Sequence, residues 1–276
     1  MKAMILAAGR GERMRPLTDH SPKPMLKVAG KPLIEHHIIK LAKAGIVDIV
    51  INHAWLGEQI EDYLKDGSEW GVSILYSRET QGALETAGGI INALPLLVEK
   101  NEPNAPFLVV NGDIYTDFTY TKLPMLSDDC LANIWLTNNP EHNVKGDFLI
   151  AKSSLENVHF FADDITKKRA NENINETVNG NINKSIKVHN IIGEHATAQG
   201  YQSFTYSGIG LYKPEFFTVA PNESVLALGP LLRQTAKNFQ LCGQTLSNYW
   251  VDVGTPSRLA ALNQHLTRQT NNMRHQ

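Results

Sequence analysis

Cysteine is nearly missing from this chain: Cys130 and Cys242 are the only two among 276 residues. So sparse a set suggests a reducing compartment rather than a disulfide framework, and no Cys-x-x-Cys exists for zinc. Long apolar runs are missing as well. No stretch approaches the roughly 20 residues of a membrane-spanning helix. The first apolar run, residues 3–8, is too short for a signal-peptide core and leads straight into charge. Net charge is also missing, with 26 basic against 28 acidic residues. That balance argues against a general nucleic-acid binder. The expectation is a cytoplasmic protein with no nucleic-acid or membrane partner, and a monomer by default.

What is present is unevenly placed. Residues 1–31 hold seven Lys or Arg but only two acids, Glu12 and Asp19. A local excess of positive charge calls for a local anion.

The hydrophobic pattern gives the setting. Residues 3–8 read as a short buried strand stopped by Gly9, and residues 31–45 as a helix with Pro32 in its first turn and Gly45 just beyond its end. Strands follow at 47–52, 72–77 and 107–113, separated by helices at 56–67 and 86–97. Further strands fall at 131–137, 146–151, 204–212 and 249–255, with helices at 225–238 and 256–266; Thr255 caps the last helix and Pro256 opens it. The polar tail from 267 to 276 reads as frayed. Strands alternating with helices predict an α/β fold: a Rossmann-like, mostly parallel sheet with helices on both faces. Ligands of such sheets sit at the carboxyl ends of the strands, so residues 9–15 and Asp113 share one edge.

The chain reads as a single domain. Its parts divide at about 1–115, 116–248 and 249–267, the last holding the C-terminal helix. Residues 163–190, rich in Asn, Lys and Glu, read as a surface excursion.

A Gly-rich loop leaving a strand presents backbone N–H groups to phosphate, and nearby Arg and Lys add charge-assisted bonds. Gly9 and Gly11 are followed by Glu12-Arg13-Met14, which rules out a P-loop. Met14 also stands where a dinucleotide fingerprint has its third glycine. The stretch "LAAGRGERMRPLTDHSPKPMLKVAGKPLI" instead resembles the signature region of the sugar-1-phosphate nucleotidyltransferases. "VVNGD" (109–113) and "WVDVGTP" (250–256) resemble two further segments of that family, in the expected order.

The resemblance implies roles. Arg13 lies over the departing pyrophosphate and Lys23 contacts phosphates at the reacting centre. Gly11 cradles the triphosphate, while Leu6, Ala8 and Gly9 line the nucleoside pocket. Glu79, Leu84, Glu85 and Thr86 fall in the base-reading segment. Asp113 and Asp252 would share a Mg²⁺, an ion that takes one or two carboxylates and fills its octahedron with phosphate oxygens and water. Such transfer depends on positioning and charge stabilisation, and no protein nucleophile is needed.

"INHAWLGEQIEDYL", "ALETAGGI" and "VNGDIYTDF" are most similar to the short bacterial N-acetylmuramate-1-phosphate uridylyltransferases of peptidoglycan recycling. The substrates implied are UTP and a sugar 1-phosphate, with sugar contacts from Asn111, Gly146, Asp147, Ser207 and Gly208. The family's Glu-Lys-Pro, whose lysine meets the sugar phosphate, has no counterpart, leaving Lys145, Lys152 or Lys23 as substitutes. Three rivals stand beside this reading: a mannose-1-phosphate guanylyltransferase or other hexose-phosphate enzyme, a non-catalytic nucleotide-sugar sensor, and an NAD-binding oxidoreductase.

Overall fold

The computed structural model describes residues 1–80, 82–155, 186–187, 189–190, 200–218 and 225–274. Strand β1 (Lys2–Leu6) runs into the glycine loop. Tight turns and a small ribbon, β2 (Lys27–Val28) with β3 (Lys31–Pro32), then lead to α1 (Leu33–Lys43). Next come β4 (Asp48–His53), α2 (Glu58–Leu64), β5 (Ser73–Arg78), α3 (Glu85–Leu97), β6 (Phe107–Asn111) and β7 (Ile114–Thr116). The second half adds β8 (Ala132–Thr137), β9 (Phe148–Ala151), the single turn α4 (Lys152–Leu155), β10 (Ile186–Lys187), β11 (His189–Asn190) and β12 (Tyr201–Tyr212). The chain finishes with α5 (Leu228–Lys237), β13 (Leu241–Thr245), β14 (Trp250–Asp252) and α6 (Pro256–Arg274).

The main sheet runs in the order β10-β13-β8-β12-β6-β1-β4-β5. Strands β6, β1, β4 and β5 are mutually parallel, as the alternation of strands and helices predicts. The long β12 lies antiparallel to both β6 and β8, and β13 is parallel to β8. The sheet is therefore mixed but mostly parallel. Successive residues of a strand face opposite sides. Met4, Phe107 and Val109 enter a core shared with α3 and α5, while Ala3, Ile5, Leu108 and Val110 enter a second core under α1 and α2. A third, smaller core collects Met14, Leu26, Leu33, Tyr115, Val253 and Leu262 beneath the signature loop.

Several expectations change. Pro32 pairs in β3 and stands at the N-cap of α1 rather than inside its first turn. The strand expected over 107–113 stops at Asn111, so that Gly112 and Asp113 form the turn into β7. Strand β13 was not foreseen: "LCGQT" mixes small and polar residues, and only its place beside β8 buries it. Helix α6 continues to Arg274 where a frayed tail was expected. After Pro256 its run lacks Gly and Pro, and the hydroxyls of Thr267 and Thr270 bond back to the Asn263 and Leu266 carbonyls. Cys130 and Cys242 are joined as a disulfide, against the expectation drawn from cysteine count: β13 returns beside the start of β8 and brings the two Cα atoms within 6.0 Å. Most of the 163–190 excursion lies outside the described residues, but its end does not: β10 pairs with β13 and β11 with β9. None of the helices among the described residues is long and apolar enough to cross a membrane.

One buried ring supports the active edge. His37 on α1 is 2% exposed and its Nε2 donates to the carbonyl of Ile114, the residue after Asp113, at 2.9 Å. Burial is the main reason its pKa falls to about 3; Lys40 and His36 push the same way, against Asp113 and the carbonyl bond. A histidine held neutral in the fold but free to charge when unfolded loses stability for the protein as pH drops below about 6.5, down to about 3. We expect unfolding free energy to fall by about 2 kcal/mol from this group between pH 7.5 and pH 5. Urea titrations of wild type and His37→Gln should show that component removed in the variant; an unchanged pH slope would remove His37 as its source.

Candidate active site

The carboxyl ends of β1, β4 and β6 open on a cavity of about 450 Å³. Leu6, Ala8, Gly9, Gly11, Arg13 and Lys23 line it from the signature loop. Glu85 and Thr86 line it from the start of α3, and Asn111 and Asp113 from the end of β6. Residues predicted from three separate stretches of sequence thus meet in one space.

The signature loop is held from both sides. The Thr18 hydroxyl donates to the Gly11 carbonyl at 2.8 Å, and the Thr18 carbonyl accepts from Arg10 and from the Trp55 indole. The Arg10 guanidinium also stacks 4.0 Å from the Trp55 ring centroid, a cation–π contact. Arg13, by contrast, stands exposed at the rim. Lys23 is 8% exposed and its Nζ lies 2.7 Å from Asp113 Oδ2, so the loop and the end of β6 are joined by charge.

The two aspartates are neighbours although 139 residues separate them in the chain. Strands β7 and β14 pair antiparallel with Asp252 opposite Ile114, and the Val253 N–H donates to the Asp113 carbonyl at 2.9 Å. One oxygen of Asp252, Oδ2, accepts from Arg258 Nη1 at 2.6 Å and lies 3.4 Å from His142 Nε2. Its other oxygen, Oδ1, is buried without a hydrogen-bond partner among the described residues. A buried carboxylate oxygen with nothing to accept from is costly, and a cation would satisfy it. Asp113 and Asp252 therefore fit a divalent metal. Among the described residues no third His, Cys, Asp or Glu forms a metal-binding group with them. The arrangement suits an ion that takes few protein ligands and completes its shell from phosphate.

Other predicted residues take supporting positions. Glu79 is buried, and its carboxylate accepts from Asn52 Nδ2 at 2.7 Å and from the Leu84 N–H at 2.8 Å. Both Glu79 and Leu84 thus stand behind the cavity wall. Glu85 begins α3 at a left-handed φ of 62°, a conformation uncommon for a residue with a side chain and concentrated at ligand sites. Ser207 and Gly208 lie in a bulge of β12, where the register with β8 shifts between Tyr206 and Gly210. Gly208 has a φ of 80°, and a Cβ there would stand 2.8 Å from the Asn111 side chain, so only glycine lets the two strands meet. Gly146 and Asp147 do not line the cavity. Asp147 accepts from the Tyr206 N–H and from Asn143, bracing the turn ahead of β9.

Sequence reasoning missed three residues. Asn52 lines the cavity and ties Ala7 N–H to Glu79; its place at the end of β4 was the available signal. Arg258 and His142 reach Asp252 from α6 and from the turn after β8. A cation in the first turn of a helix opposes the helix dipole, and that was the clue to Arg258.

A mostly parallel α/β sheet with a basic glycine loop and two carboxylates at one edge defines an enzyme that handles phosphate esters. The comparisons agree. The nucleotidyl transferase family model matches residues 2–137. The N-acetylmuramate alpha-1-phosphate uridylyltransferase of Neisseria meningitidis serogroup B is 45% identical over 263 residues, covering 94% of this chain and 95% of its own. The enzyme of the same name from Caulobacter vibrioides is 30% identical over 271 residues, covering 94% of each. Among solved structures, one from Bacillus anthracis described as a glucose-1-phosphate thymidylyltransferase superposes with a TM-score of 0.67 at 21% identity, over 96% of this chain and 94% of that one. This chain belongs to the nucleotidyl transferase family.

Removal of the Asn52 side chain tests the internal clamp. Asn52→Ala leaves the Ala7 N–H and one Glu79 carboxylate oxygen, Oε1, without their partner, at about 2–3 kcal/mol. Calorimetry should show a melting temperature lower by several degrees and nucleotide binding weaker by about tenfold. Full affinity at full stability would show that the clamp does not shape the pocket.

Proposed function

We propose that the protein transfers the uridylyl group of UTP to N-acetylmuramate 1-phosphate, giving UDP-N-acetylmuramate and pyrophosphate, in the recycling of cell-wall sugar. The observation that carries this reading is the 45% identity, along nearly the whole of both chains, to a relative named for that activity. Mannose-1-phosphate guanylyltransferases are more distant: one from Drosophila pseudoobscura pseudoobscura is 27% identical, and this chain spans 59% of its length. A substrate such as UTP fits a cytoplasmic protein.

In this reaction a phosphate oxygen of the sugar 1-phosphate attacks the α-phosphorus of UTP. The bond from that phosphorus to the α,β-bridging oxygen breaks, and pyrophosphate departs with the electron pair. The nucleophile is already an anion, so no residue need remove a proton. The work left to the protein is alignment and charge stabilisation. Backbone groups around Gly9 and Gly11 cradle the triphosphate, and Arg13 at the rim meets the charge that builds on the leaving group. Lys23 exchanges its bond with Asp113 for one with phosphate. Asp113 and Asp252 would hold Mg²⁺, which when bound supplies charge neutralisation at the reacting phosphates. Thr86 and the backbone around Glu85 face the base, while Asn111 and the Ser207–Gly208 bulge face the sugar.

Two measurements test this. A panel of four nucleoside triphosphates against several hexose 1-phosphates should give the highest kcat/KM with UTP and N-acetylmuramate 1-phosphate; a preference for GTP and mannose 1-phosphate would replace the assignment. Asp113→Asn and Asp252→Asn should each lower kcat at least about a hundredfold with the fold intact, the loss expected when several kcal/mol of charge stabilisation goes. Near-normal turnover in either variant would remove that residue from the metal site.

A further inference from the structure

The sugar half of the site lacks an evident cation for its substrate's phosphate. The basic residues lining the cavity are Arg10, Arg13 and Lys23, all from the signature loop. Arg10 is engaged by Trp55, Thr18 and Asp19, and Lys23 by Asp113. Lys145 and Lys152 are both exposed. Yet the incoming sugar phosphate must approach a triphosphate of the same sign.

Arg258 stands behind the wall formed by Gly254. Its side chain is 20% exposed, and Nη1 alone makes its recorded bonds: to Asp252 Oδ2 at 2.6 Å, to the Asp252 carbonyl at 3.1 Å and to His142 Nε2 at 3.2 Å. Nη2 and Nε have no partner among the described residues. A guanidinium carries five N–H donors in a fixed fork, so most of this one's capacity is unspent. Gly254 lines the cavity, and a Cβ there would stand 2.8 Å from Asp252 Oδ1 and 3.2 Å from Arg258 Nη2. The missing side chain leaves only the Gly254 backbone between Nη2 and the cavity. Helix stability does not account for an arginine here, because the positive end of α6 repels it.

We propose that Arg258 is the cation that receives the phosphate of the sugar 1-phosphate, binding it through Nη2 and Nε while Nη1 stays on Asp252, with Gly254 as the opening between them. The inference rests on the sugar-phosphate reading above and adds the residue that fills the place of the absent Glu-Lys-Pro lysine. It also explains why the arginine is shared with Asp252: one guanidinium then registers the sugar phosphate against the carboxylate pair.

The test is equilibrium binding, with kinetics beside it. Calorimetry would follow N-acetylmuramate 1-phosphate titrated into enzyme holding a non-hydrolysable UTP analogue, and separately the analogue itself. Arg258→Ala should weaken the sugar phosphate by at least about 20-fold, the loss of a charge-assisted pair. Binding of the analogue should stay within about twofold, a margin worth a fraction of a kcal/mol. Arg258→Lys should recover part of the loss. Steady-state KM for the sugar phosphate should rise while that for UTP holds. Equal weakening of both ligands, or a fall in kcat with sugar binding intact, would make Arg258 only a support for Asp252 and overturn the proposal. A larger sugar-specific loss in Lys145→Ala would move the role to that lysine. If wild type binds a different hexose 1-phosphate, the substrate assignment fails and the variants are compared with that compound; if it binds none, both readings fall.

Discussion

Met14 is fully buried in one cluster with Leu26, Leu33, Tyr115, Val253 and Leu262, side chains drawn from the turn before the ribbon, α1, β7, the turn after β14 and α6. This contact fastens the loop that carries Gly11, Arg13 and Lys23 to the segment that carries Asp252. Full burial of one such side chain stabilises by about 1.5–3 kcal/mol, comparable with the free energy that would let a glycine-rich loop wander. With the anchor in place the loop keeps its distance from both aspartates before any ligand arrives. Preorganisation of this kind is what transfer between phosphates requires, because charge has to be met where it develops.

Charge completes what the apolar contact begins. Lys23 closes on Asp113 and Arg258 on Asp252, so each carboxylate has a cation on one oxygen. The carboxylates would otherwise repel each other across paired strands. Because α6 supplies Arg258 and the turn after β8 supplies His142, two distant parts of the chain hold one carboxylate in orientation. Buried polar groups held by several partners tend to specify a single arrangement. The same holds for the Asn52–Glu79 clamp on the opposite wall.

Much of this was legible beforehand, for a physical reason. Short continuous apolar runs such as residues 3–8 and 107–111 can only be strands buried on both faces, and parallel strands put their functional residues at one edge. That is why the glycine loop and Asp113 were found together. Pairing of distant segments is not written in local pattern. Neither β13 nor the union of Cys130 with Cys242 follows from "LCGQT" or from cysteine spacing, since both depend on where β8 lies. Met14 was legible only as a missing glycine; its use as a plug needed the position of α6. Glu79 was recognised as belonging to the base-reading segment, but which way its carboxylate turned depended on Asn52, 27 residues away.

The two ends of the site also differ optically. Trp55 stacks under Arg10 beside the phosphate loop, and Trp250 donates its indole N–H to the Ser207 carbonyl at 2.8 Å beside the β12 bulge. Trp135 is sealed in the core and Trp70 leans on Tyr63 away from both. Indole emission depends on the dipoles and charges around the ring. The chain therefore carries one native fluorophore against its triphosphate loop and another against its sugar wall. Replacing either by phenylalanine would leave a reporter for the other half, and the order in which the two halves fill becomes visible without a label.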